Sequence, residues 1–229
     1  MELTAILLSR VLGFFETVDL SPRGSLFFPE VVKGLVQQCT FQKFPRTFEE
    51  WSSTDAAEFL AGKWDETVID KLIVYNNGLL VETRAGTTES KRILEEILAW
   101  ARDKFGIVYG PNTIREWAYV DGLIFRSDVP LLTTGPIERL ANVVTTEISK
   151  IIGHETVYQP VGVTLGHDQL LRKYARALFT IQRRVEIPLS DNKYYSEAPL
   201  PTETHLAILE QYEKDVAEML NPRLLGARS

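Results

Sequence analysis

A hairpin followed by a helix is written into residues 71–106, and this stretch limits the fold more than any other. Leu72-Ile73-Val74-Tyr75 and Leu79-Leu80-Val81 are apolar runs joined through Asn77-Gly78. An Asn-Gly pair between such runs predicts a type I′ turn, which needs positive φ at both central residues. Thr87 or Thr88 is then expected to cap a helix, with Glu89 in its first turn beside the positive end of the helix dipole. Ile93, Leu94, Ile97, Leu98 and Ala101 recur at helical spacing, and Gly106 suits the left-handed residue that ends a helix.

The same order of signals returns further along. Trp117-Ala118-Tyr119-Val120 and Leu123-Ile124-Phe125 flank Asp121-Gly122, which reads as a second hairpin. Pro136 then opens a helix carrying Ile137, Leu140, Val143, Val144, Ile148 and Ile151, closed by Gly153. The recurrence raises an internal ββα repeat.

Around this pair the reading is simpler. Leu3, Ile6, Leu7, Val11, Phe14, Phe15 and Val18 fit an amphipathic N-terminal helix, although the β-branched and aromatic content of 11–18 also suits a strand. Asp19 to Gly24 reads as a turn, Pro29 starts a short helix, and residues 47–51 and 53–60 read as short helical turns. Thr156 to Leu165 is a strand broken by Pro160 and Gly162, as befits a sheet edge. Asp168 caps a short helix, and Ala177 to Ile187 alternates as one long strand. A polar loop fills 190–201, Thr202 caps a last helix, and 221–229 is a tail.

The fold class is α+β: a mainly antiparallel sheet built from hairpins, with amphipathic helices packed largely on one face. With no linker of biased composition, residues 1–229 read as one domain. Its parts are a helical or irregular region (1–66), the paired ββα units (67–153), a strand pair with the C-terminal helix (154–220) and the tail.

Composition narrows the function classes. The chain has 229 residues, 45% of them hydrophobic, and a formal charge of −6, which suits a soluble core and repels phosphate backbones overall. Its single cysteine, Cys39, excludes an intrachain disulfide and any metal site built on several cysteines. No basic n-region with a cleavage site and no 18-residue apolar run occurs, so neither a secretory signal nor a membrane span is expected. A cytoplasmic location is the resulting expectation.

No phosphate-binding glycine loop, nucleophile elbow or H-E-x-x-H motif is present. The catalytic candidates reduce to His167 and Asp168, with His154 as a further group that would have to converge on them. Cys39 reads as a buried small hydrophobe. No cofactor and no metal is implied. Arg172, Lys173, Arg176, Arg183 and Arg184 form one basic cluster, suited to an anion or a partner surface. Strand alternation puts Arg183 on the buried face with Ile181 and Val185, which calls for a carboxylate partner or, as the functional alternative, an anion site. Tyr194 and Tyr195, in the polar loop, are interface candidates.

The first functional expectation is a non-enzymatic assembly or interaction subunit, pairing with itself as a dimer or higher or docking to another protein. The alternative is an enzyme acting on a phosphate-bearing or acidic substrate through His167, Asp168 and the nearby arginines. A weaker one is nucleic-acid binding through residues 172–184, which the acidic balance disfavours.

Overall fold

The computed structural model describes residues 1–21, 28–47, 56–132, 135–168 and 177–221. It is α+β. Eight strands pair mainly antiparallel, and five helices occur among the described residues. The chain divides into two compact units, one of residues 6–122 with 198–202, the other of residues 1–5, 123–197 and 203–229.

In the first unit the strand order is β2 (Ala56–Trp64), β3 (Thr67–Tyr75), β4 (Gly78–Thr83), β1 (Glu2–Phe14), then β5 (Glu116–Arg126). It also holds α1 (Thr17–Leu20), α2 (Phe28–Cys39) and α3 (Thr87–Phe105). The β3–β4 hairpin forms as expected, but its turn is Asn76-Asn77, and neither residue has positive φ. Gly78 is already in β4, level with Tyr75 and with Phe14 of β1. A Cβ on Gly78 would lie 2.5 Å from the Gly13 carbonyl oxygen, so glycine is needed there for close strand approach and not for a turn.

Three expectations are corrected in this unit. The N-terminal segment is a strand, paired with β4 from Ser9↔Thr83 to Phe14↔Gly78. Its apolar residues fall at both odd and even positions, and without a two-residue alternation periodicity stops separating a strand from a helix. Ala56 to Leu60 is strand, not helical turn, with Ala57 and Phe59 in the core. The turn at Asp121-Gly122 is absent: Glu116 to Arg126 runs as one strand, and the Asp121 side chain is buried within it.

Helix α3 meets its expectation closely. It packs on β4, it buries Ile93, Leu94, Ile97, Leu98 and Ala101, and it ends at Gly106 with φ 69°. Its start differs. Gly86 occupies the cap, and Thr87, the first helical residue, donates its N–H to Thr202 Oγ1 at 2.9 Å. Thr202 N–H donates in turn to Thr87 Oγ1 at 2.8 Å, so each threonine satisfies an open donor at the start of the other's helix.

In the second unit the strand order is β5, β8 (Lys193–Ala198), β7 (Phe179–Arg183), β6 (Gly162–Leu165). It carries α4 (Gly135–Ile152) and nearly all of α5 (Thr202–Leu220). The expected strand from 177 to 187 is confined to Phe179–Arg183, and Val185 to Ile187 turn away, with Glu186 at φ 66°. The expected loop at 190–201 contains β8, paired with β7 from Thr180↔Glu197 to Arg183↔Tyr194. Only Gly162 to Leu165 of the expected 156–165 strand is paired, and it holds the last place in the order.

The Ser196 hydroxyl donates to the Thr180 carbonyl oxygen at 2.7 Å, which uses its only proton. It must therefore accept from His205 Nε2, 2.8 Å away, and this places a proton on that nitrogen. His205 is wholly buried, with Phe179 edge-on to its ring, so it is a core residue.

Candidate functional site

Helix α4 is the element whose side chains are least accounted for by packing. Its sequence is strongly two-sided, and the apolar stripe was expected to be core. The structure corrects this: no residue of α4 is buried. Leu140 is 63% exposed and Ile151 78%, and Ile137, Val143 and Ile152 are exposed too.

The reason lies in the path of the chain after the helix. Gly153, at φ 74°, closes α4 by donating its N–H to the Ser149 carbonyl oxygen at 3.0 Å. The chain then returns along the polar edge of the helix. Thr156 N–H donates to Ser149 Oγ at 3.0 Å, and Tyr158 N–H donates to Thr145 Oγ1 at 2.8 Å. At about 100° per residue, the edge carrying Thr145 and Ser149 lies roughly a third of a turn from the apolar stripe. The return segment therefore leaves Ile137, Leu140, Val143 and Ile151 exposed, while Val144 and Ile148 are half-buried, and it adds exposed apolar side chains of its own at Val157, Tyr158 and Val161. Single exposed apolar side chains are ordinary on a folded chain; several along one face of a helix are not.

Beside the polar edge lies a cleft of about 470 Å³, lined in part by Glu138, Asn142, Pro160, Arg183, Ser190 and Asn192. Arg183 is half-buried there. Its guanidinium lies 5.5 Å from the centre of the Tyr194 ring, and its Nε donates to the Pro160 carbonyl oxygen at 3.4 Å. Arg184 is exposed on the far side of the alternation.

The remaining candidates scatter. Tyr194 is wholly buried, stacked on Phe125 at 5.7 Å, and its hydroxyl accepts from Leu131 N–H at 3.0 Å, so it is not the exposed tyrosine expected. Tyr195 is half-buried and donates to Glu197 at 2.9 Å. His167 is half-buried, its Nε2 meets no partner among the described residues, and it does not line the cleft. Asp168 and His154 are exposed. Arg172, Lys173 and Arg176, with the helix expected after Asp168, lie outside the described residues. Burial pushes the Cys39 thiol up to about 12, leaving it protonated and inert at neutral pH.

Among the described residues no three His, Cys, Asp or Glu side chains are grouped to hold a metal ion, and no helix is long and apolar enough to cross a membrane. No protein-family model matches the chain, and no curated protein is significantly similar to it. Its function has to be read from its own residues.

Sequence reasoning had α4 and its stripe right and their role wrong. Periodicity reports which side chains share a face and is silent on what covers that face.

Proposed function

We propose that this protein is an association subunit that docks to a protein surface through the apolar face of α4. The observation that carries the reading is the stripe itself, with Leu140 63% and Ile151 78% exposed on a helix that contributes nothing to the core. Covering such a stripe removes apolar area from water, roughly 25 cal/mol per Å². The helix spans five turns, enough for several anchors in one interface.

The enzyme alternative draws on Arg183 in the cleft beside Asn142, Asn192 and Ser190, a polar setting suited to an acidic ligand. Among the described residues Arg183 alone of its proposed set lines that cleft, so this reading ranks second.

The test is size-exclusion chromatography of cell extracts containing the tagged chain or the Leu140→Lys, Ile151→Lys double variant. The wild type should elute well above its 26.0 kDa chain mass. The variant should shift toward the single-chain position with an unchanged melting temperature, since both positions are exposed. Elution of both at the single-chain position would overturn the reading.

A further inference from the structure

The cleft beside α4 carries charges of both signs. Glu138 lines it from the first turn of α4, and Arg183 from the end of β7. Among the described residues no ion pair joins the two, and Glu138 has no other cation as partner. The carboxamides of Asn142, Gln159 and Asn192 line the same cleft and meet no partner among the described residues. Its volume of about 470 Å³ is in the usual range for a small-molecule site.

The opposite charges decide what kind of molecule fits. Arg183 is set in place by the Tyr194 ring and by its bond to the Pro160 carbonyl oxygen. A planar guanidinium held in this way suits a carboxylate. Inorganic phosphate or a simple acid brings only negative charge, and Glu138 repels it. A ligand that also carries an ammonium group turns this repulsion into attraction. The carboxamides can donate or accept, so they serve either end of such a ligand. Val157 and Pro130 add an apolar wall against which an aliphatic side chain leaves water.

We infer that this cleft binds a small zwitterion of the α-amino-acid class, its carboxylate on Arg183 and its ammonium group on Glu138. The exposed apolar residues of α4, from Ile137 to Ile151, do not line the cleft. The site therefore goes beyond the association reading and stands or falls apart from it.

Thermal melting of the purified full chain tests this, with each protein-forming amino acid at about 10 mM, since a ligand bound only by the folded chain raises the midpoint. Apolar amino acids should raise it most. The best of them is then compared by calorimetry with its amide, which lacks the carboxylate, and with its N-acetyl form, which lacks the ammonium group. Each blocked form should bind at least about ten-fold more weakly. Arg183→Gln should erase the preference for the free amino acid over its amide, and Glu138→Gln the preference over its N-acetyl form. Glu138 is exposed, so its variant should fold whatever happens at the half-buried Arg183. No midpoint shift with any amino acid overturns the proposal. So does equal binding of either blocked form. Inorganic phosphate or acetate binding as tightly as the amino acid also overturns it, and makes the cleft a simple anion site. None of these results bears on the extract experiment for α4.

Discussion

Thr202 donates a 2.7 Å hydrogen bond to the carboxylate of Asp121, across 81 positions of sequence. The same carboxylate accepts from the Ser9 hydroxyl at 3.0 Å, and Asp121 is wholly buried. One acidic side chain therefore ties β1 and β5 to the paired threonines at the starts of α3 and α5. Replacing it with alanine strands two buried hydroxyls, each costing about 1–3 kcal/mol. Asp121→Ala should lower stability by about 2–4 kcal/mol in urea unfolding, and Thr202→Val by less. A midpoint unchanged in both would show that the network holds nothing together.

Ile97 and Leu140 occupy equivalent mid-stripe places on α3 and α4, yet Ile97 is 3% exposed and Leu140 63%. Ile97→Ala should cost about 2–4 kcal/mol, since it leaves a cavity. Leu140→Ala should stay within about 0.5 kcal/mol for the single chain, as substitutions at exposed sites do. Equal losses at the two positions would mean that α4 is covered within its own chain.

Gly78 faces the Gly13 carbonyl oxygen with no room for a side chain. Gly78→Val should cost on the order of 1–3 kcal/mol by forcing β4 and β1 apart. Gly78→Ala should already cost a measurable part of that, which a turn glycine at negative φ would not. If Gly78→Ala left the denaturant midpoint where it was, the close approach would be wrong.

Glu89 gives a pH signature. Hydrogen bonds from Arg92 and then from Thr67, at 2.7 Å, lower its carboxyl from 4.5 to about 2. A carboxyl depressed on folding contributes stability that is fully present above its unfolded value, about 4.3. That contribution is lost as pH falls through the folded value near 2. Melting temperature should therefore drop more steeply below about pH 4 in the wild type than in Glu89→Gln. Parallel curves would remove Glu89 from the acid response.

What could be read from the residues alone was whatever is held by neighbours in sequence. The β3–β4 hairpin, α3 with its glycine stop, and the two-sided patterns of α4 and α5 all depend on spacings of a few residues. The missing turn at Asp121-Gly122 shows where this ends. Asp-Gly favours a turn locally, but Ser9 and Thr202 offer the aspartate better partners, and both are remote in sequence. The N-terminal strand was hidden for a related reason: Leu3, Leu7 and Val11 point to one face and Ile6, Leu8, Leu12 and Phe14 to the other, so no two-residue alternation shows. Arg183 and Tyr194 moved for the same cause, because β7 stops at Arg183 and β8 begins where a loop was expected.

Sequence by itself determined the fold class and the helical stripes. Only the tertiary structure decided which stripe is core and which is surface. Local periodicity gives a helix an apolar face, but covering that face takes another element. For α3 that element is β4. For α4 the return segment lies on the polar edge, held by Thr145 and Ser149, and Ile137, Leu140, Val143 and Ile151 stay exposed.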